Sequence, residues 1–437
     1  MITLRGFVRS LLPGRDKDGM PMYWSKPDRS SVLFEVRKLK SRDIYPRTSF
    51  YEFFWAHHMV GTKVSHIAHW LRQLLFRREK NVPERIVPIW KSIWYLLVVL
   101  LLFVATGTVD YFTDLKMNLG WSVSFVLSAV LGVVNLIVVR YVGDAARYLD
   151  PSRTNIAVRQ KIRSDGMQLI RNLHNSGYDR IIVVGHSLGS LIAYDILTHL
   201  WPEYNTVHGR PLNVEQDALR KVQLLGQSLG HRPSGEELDK YHNLQGELWE
   251  ERRRMGNPWL VTDLVTLGSP LSYADFLLAE SDDDLKERIN LRDLPACPPV
   301  VDDKGYSYVL KPPYRSYGLK RSIKVLHHAA QFAFIRWTNL YFPGDIIGGP
   351  VADKLGWGIR DVEVLPGKKS WKDRFLFTHS WYWRNKPIPP VGEWKESEAV
   401  KALREALMIP GKWNLKNESR EAEVQGFQTK DQEVPLS

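Results

Sequence analysis

Ser187 sits in Gly185-His186-Ser187-Leu188-Gly189, directly after the β-branched run Ile181 to Val184 and directly before the apolar stretch LGSLIAYDIL. A serine hydroxyl attacks an acyl carbon only when a base takes its proton and a third group orients the base. The setting needed is a strand that stops abruptly and a helix that starts at once, holding the serine on a sharp turn with Oγ exposed. Gly185 and Gly189 are expected to relieve crowding on either side of that turn.

Position selects the partners. In open α/β sheets, reacting groups lie past the carboxyl ends of the strands. His379, in FLFTHSWYW, follows the last expected strand and is the last of 13 histidines. Asp345, in WTNLYFPGDIIGGP, follows the strand before it in a Pro/Gly-rich loop. The chain order is therefore serine, acid, histidine. Asp302, Asp303, Asp353 and Asp361 are alternative acids, for each of which a surface carboxylate is the default reading. His186 lies inside the turn and is expected to support it. His57, His58, His66 and His69 cluster, but no carboxylate or cysteine stands at a matching spacing. They read as amphipathic interface residues, and no metal or cofactor is expected.

The elements that must position these groups are legible in outline. Residues 31 to 39 and 49 to 56 read as strands, rich in β-branched and aromatic residues. Residues 154 to 174 are patterned as an amphipathic helix, 178 to 184 as a buried strand and 188 to 200 as a helix. Residues 259 to 267 read as a further buried strand, and 331 to 341 and 361 to 365 as the last two. Strands separated by helix-length segments predict an α/β domain with a mainly parallel sheet flanked by helices.

The chain has 437 residues, a net charge of +12 and one cysteine, Cys297, so no intrachain disulfide forms. The N-terminal stretch MITLRGFVRSLLPGRDKDG lacks the apolar core and cleavage site of a signal peptide. Two uncharged runs, 18 residues from Ser92 to Val109 and 23 from Met117 to Val139, have the length of membrane-spanning helices. Basic residues crowd the outer flanks: Arg72, Arg77, Arg78, Lys80, Arg85 and Lys91 before the first, and Arg140, Arg147, Arg153, Arg159, Lys161 and Arg163 after the second. The link between them has only Lys116. This asymmetry predicts an integral, inner-membrane protein with both termini and the α/β domain cytoplasmic. It also accounts for the positive charge through the bilayer, and no nucleic-acid partner is expected.

The chain resembles the α/β-hydrolase superfamily, in particular its lipase- and esterase-like members and bacterial membrane-embedded serine hydrolases. The resemblance is carried by Gly185 to Gly189, TLGSP at 266 to 270, WTNLYFPGD, THSWYW, and SFYEFFWA ahead of VGDAARYL. It implies an α/β-hydrolase fold with an inserted two-helix transmembrane hairpin, a Ser187 nucleophile, a His379 base, an Asp345 orienter and the Leu188 amide as an oxyanion donor. Such proteins also carry a His-Gly turn after an early strand for the second oxyanion donor. The nearest counterpart here is Arg5-Gly6-Phe7, after only four residues, which leaves the second donor unassigned.

The expected organisation is an N-terminal part of the domain at 1–60, then a basic flank and hairpin at 61–150 with helices near 92–112 and 117–140. A catalytic part follows at 151–395 with insertions 201–258 and 271–320, then a C-terminal helix and polar tail at 396–437. The hairpin leaves the carboxyl end of a strand, so the site is expected to face the membrane, and 201–258 should lie on the opposite side. The expected activity is hydrolysis of a carboxylic ester, with a lipid or other acyl ester as substrate. An acyltransferase on the same triad and a non-catalytic membrane scaffold are the alternatives.

Overall fold

The computed structural model describes residues 2–14, 19–27, 37–42, 46–59, 72, 74–88, 90–95, 97–99, 143–150, 152–207, 210–211, 216–302, 305–311, 322–365, 378–384, 386–388 and 393–409. Among these, helix α1 spans Ile2–Leu11, and strands β1 (Tyr23–Pro27), β2 (Arg37–Ser41) and β3 (Ser49–Phe50) form a small antiparallel sheet. Helices α2 (Gly143–Leu149) and α3 (Arg153–His174) lead to strand β4 (Ile181–His186) and helix α4 (Leu188–Val207). After β5 (Arg210–Pro211) come α5 (Asp217–Ser228), α6 (Gly235–Arg254) and strand β6 (Val261–Leu267). Short helices α7 (Ala274–Leu277) and α8 (Asp282–Asn290) precede strands β7 (Ser307–Leu310) and β8 (Ile323–Leu326); β8 pairs with both β5 and β7 in a small antiparallel sheet. Strand β9 (Arg336–Tyr341), helix α9 (Ala352–Leu355) and strand β10 (Arg360–Glu363) follow, then the β11 (Lys386–Ile388) and β12 (Glu393–Lys395) hairpin and helix α10 (Glu398–Ala406).

The centre of the molecule is a four-stranded sheet in the order β10-β9-β6-β4, every pair parallel. Strand β6 is buried along its whole length, because both faces of the sheet are covered. Its side chains alternate between two cores. Val261 and Leu264 join Trp337, Trp201, Ile192 and Tyr241 beneath α3, α4 and α6. Val265 and Leu267 join Leu340, α1 residues Val8 and Leu11, and α10 residues Ala399 and Leu403 on the other face. This is a three-layer α/β architecture, and it is the mixed fold with a parallel sheet that the alternation of elements implied.

Boundaries differ from the sequence reading where side chains satisfy backbone groups. Only Ser49–Phe50 of the expected 49–56 strand is in a ladder, and 51–55 is irregular. The expected strand at 331 begins only at Arg336, since Gln331–Ala333 form a 3₁₀ turn and the Gln245 side-chain amide takes the Phe332 and Ile335 carbonyls at 2.7 and 3.2 Å. Residues 31 to 36 lie outside the described residues.

Helix α6 starts from a capping box, Ser234 with Glu237, and runs along the amino ends of the parallel strands. There Trp249 donates to the Trp259 carbonyl before β6, Gln245 to Ile335 before β9, and His242 to Gly358 before β10. Helix α6, within the 201–258 insertion, therefore sits opposite the carboxyl ends. Among the described residues no helix is long and apolar enough to cross a membrane. The run 117–139 and most of 92–109 lie outside the described residues, as does the tail beyond residue 409.

Candidate active site

Ser187 occupies the one-residue turn between β4 and α4 with φ of 54°, a left-handed conformation that costs a non-glycine residue about 1–2 kcal/mol. The turn is held by the Ser187 amide donating to the Leu267 carbonyl at 3.0 Å and by Ser190 Oγ donating to the Ser187 carbonyl at 2.5 Å. Gly185 is dictated by space: a Cβ there would stand 2.4 Å from the Ser190 Cα and 2.7 Å from the Gly189 oxygen. Gly189 is not. A Cβ at that position would meet only the Trp55 indole nitrogen, 3.9 Å away, so the expected crowding exists on one side of the serine only.

Asp345 follows β9 and is 2% exposed. One carboxylate oxygen, Oδ1, accepts the Ile347 and Gly348 amides at 2.9 and 3.2 Å. The other, Oδ2, accepts from His379 Nδ1 at 2.8 Å and from the Tyr382 hydroxyl at 2.7 Å. Burial alone raises the carboxyl pKa, but His379 and these hydrogen bonds outweigh it, holding Asp345 below the usual carboxylate range. With Nδ1–H committed to Asp345, the lone pair of His379 is on Nε2. That atom is buried and has no hydrogen-bond partner among the described residues, so no hydrogen bond joins it to Ser187. Catalytic hydrogen bonds in ligand-free enzymes are commonly open in this way.

The proximity of the two ends is set by Gly268, the first residue after β6. It has φ of +55°, and a Cβ on it would come within 2.7 Å of Asp345 Oδ2, 2.7 Å of the Tyr382 ring and 3.0 Å of His379 Nδ1. Gly348 packs on Gly268 in turn, its own Cβ position lying 2.4 Å from the Gly268 Cα. So the acid–histidine pair presses against bare backbone one residue beyond the carbonyl that anchors Ser187.

His186 does not brace the turn itself. Its Nε2–H donates to the His379 carbonyl at 2.7 Å, and the two rings lie 4.7 Å apart. Burial, with the nearby His379, pushes the His186 pKa down to about 4, so it is a neutral donor. Tyr382, Gly268 and Trp55 went unnoticed in the sequence as site residues. The only signal for Tyr382 was the aromatic density of THSWYW, which is equally a core signature.

The alternative acids have other work. Asp361 accepts the Val351 and Ala352 amides and the Asn339 side chain, tying α9 to β10. Asp302 pairs with Arg292 at 2.7 Å. Asp353 is an exposed residue of α9. Asp303 lies outside the described residues. Arg5-Gly6-Phe7 is inside helix α1, not after a strand, and Gly6 faces the Trp383 indole. It is therefore no oxyanion turn.

The segment ahead of the first uncharged run docks at this same rim. Leu74, Val82, Ile86, Val87 and Trp90 pack on Tyr273 and Phe276, just after β6. Arg85 donates to the Pro343 and Gly348 carbonyls that flank Asp345, at 2.9 and 3.4 Å. Arg77 donates to the Ala279 carbonyl and covers Phe276, and Lys91 pairs with Glu79. The side chains of Arg77, Arg85 and Lys91 thus make contacts within the protein. Phe76 and Tyr95, each 70% exposed, mark the outer surface of the segment.

Comparison with protein-family models, with curated proteins and with solved structures finds no match to this chain.

Proposed function

We propose that the protein is a serine hydrolase of α/β-hydrolase type that cleaves carboxylic esters through an acyl-enzyme. The observation that carries the reading is the left-handed Ser187 on a strand-to-helix turn, with a buried Asp345–His379 pair at the ends of neighbouring parallel strands. Ser187 Oγ attacks the acyl carbon while His379 Nε2 takes its proton. Asp345 holds the ring in the required tautomer and stabilises the imidazolium. The Leu188 amide binds the oxyanion. The Trp55 indole N–H, whose nitrogen stands 3.9 Å from the Cβ position of Gly189, is the candidate for the second contact. His379 then protonates the leaving alcohol, and water repeats the sequence to release the acid.

Membrane anchoring through the runs at 92–109 and 117–139 belongs to the same proposal. It is supported by their length and lack of charge, and by the docking of 74–90 at the rim that carries Ser187 and Asp345. An anchor leaving beside the site favours a lipid-like acyl ester as substrate and the inner face of the membrane as its location.

The test is covalent labelling of membranes by a fluorophosphonate, followed by ester turnover. Wild type is labelled and turns over acyl esters, and Ser187→Ala loses both while remaining folded. Labelling that persists in Ser187→Ala removes the serine from the nucleophile role.

A further inference from the structure

The histidines at 57 and 58 lacked a carboxylate partner in sequence, and the fold supplies one. Asp165, on α3, reaches the 3₁₀ turn Ala56–Met59, and His58 Nε2 lies 2.9 Å from Asp165 Oδ2 across 107 residues of chain. One donor atom each from His57, His58 and Asp165 lies within 4.8 Å of the other two. We propose that these three residues bind a divalent first-row transition-metal ion, zinc by preference, which clamps the segment 51–59 onto α3.

Four observations support the proposal. The donor set is two imidazoles and one carboxylate, which suits zinc and its neighbours; calcium and magnesium prefer all-oxygen sites. At metal–ligand bonds of about 2.0–2.1 Å, the His58–Asp165 spacing corresponds to roughly a right angle at the ion. His57 Nδ1 lies 2.6 Å from the Phe54 carbonyl, so its N–H is spent on the backbone and Nε2 keeps its lone pair. Metal-binding histidines are typically oriented by such an outer hydrogen bond. The His57 and His58 rings stand only 3.7 Å apart, close enough for both imidazoles to serve one ion. All three residues are half-buried, and three protein donors leave further positions for water.

One neighbour works against the ion. Lys161 Nζ is 3.2 Å from the second Asp165 oxygen. This separates the proposal from a plain ion-pair network: loss of Lys161 weakens a network but strengthens cation binding.

The experiment uses the untagged full chain in detergent, stripped with chelator and titrated with Co²⁺, read by visible d–d absorption and by melting temperature. Expected are a saturable spectrum at one equivalent, its displacement by Zn²⁺, and a metal-dependent rise in melting temperature. His58→Ala and Asp165→Asn each weaken Co²⁺ binding by about tenfold or more, Lys161→Gln tightens it, and His199→Ala leaves it unchanged. Absence of a saturable spectrum in the wild type, or undiminished affinity in both ligand variants, overturns the proposal. The wild-type titration decides even if a variant fails to fold. None of these readouts depends on chemistry at Ser187.

Discussion

Tyr382 and His379 share one acceptor: the phenol and the imidazole N–H both donate to Oδ2 of Asp345, at 2.7 and 2.8 Å. The Tyr382 oxygen also accepts the Phe342 amide at 3.2 Å, so the phenol is fixed from two sides. Tyr382 is thereby a positioning residue, acting on the histidine through the carboxylate. Tyr382→Phe removes a hydrogen bond to a charged group, worth about 1.5–3 kcal/mol. It is expected to lower kcat about tenfold at constant KM. With that donor gone the Asp345 carboxyl rises toward its ordinary range, so protonation of Asp345, and the activity lost with it, moves to a higher pH than in the wild type. A pH–rate profile identical to wild type would assign Tyr382 a purely structural role.

Gly268 is where the fold leaves room for that pair. Gly268→Ala places a methyl within 2.7–3.0 Å of Asp345, Tyr382 and His379 and strains a left-handed φ. The expected result is a loss of at least about 2 kcal/mol of stability together with most of the activity, whereas Gly189→Ala, whose methyl meets only the Trp55 indole nitrogen at an ordinary 3.9 Å, leaves both nearly unchanged. Equal effects of the two alanines on denaturation midpoint and turnover would contradict this.

The Trp55 assignment separates hydrogen bonding from packing. Trp55→Phe keeps an aromatic ring beside Gly189 but removes the N–H. If the indole serves the oxyanion, kcat falls about 10²–10³-fold while fluorophosphonate still labels Ser187. Unchanged kcat would direct the search to a backbone donor.

Two buried histidines far from Ser187 set the acid stability. His242 and His327, both within 8% exposure, donate to the Gly358 and Val300 carbonyls. Burial pushes each pKa down to about 4 from an ordinary value near 6.5. The unfolded chain therefore binds protons at a higher pH than the folded one. Stability is full above about pH 6.5 and falls as pH drops toward 4, by on the order of 3 kcal/mol per histidine. Chemical denaturation at successive pH values measures the slope, and His327→Gln should flatten it. A pH-independent midpoint across that window would show that these imidazoles are not held neutral.

The serine turn was readable from residues 181 to 197 because its causes are local. β-branched residues favour a strand, the following apolar stretch favours a helix, and Gly185 is the residue that lets the two meet, since a Cβ there would stand 2.4 Å from the Ser190 Cα. Asp345 and His379 were readable only as positions in chain order, by supposing that successive strands are parallel and that loops at their carboxyl ends converge. The 331–341 boundary failed for an equally physical reason. A run of apolar residues carries no record of a distant glutamine side chain that will occupy its carbonyls.

Composition, periodicity and spacing alone determined an α/β chain with a serine poised between strand and helix, since these depend on backbone sterics and on burial within a dozen residues. Tertiary structure alone decided which of five aspartates meets His379, that Tyr382 shares its oxygen, that Gly268 makes room for them, and that Asp165 meets His58. Each of these depends on groups far apart in the chain meeting to within about 3 Å, and such distances follow from how strands and helices pack, not from residue order.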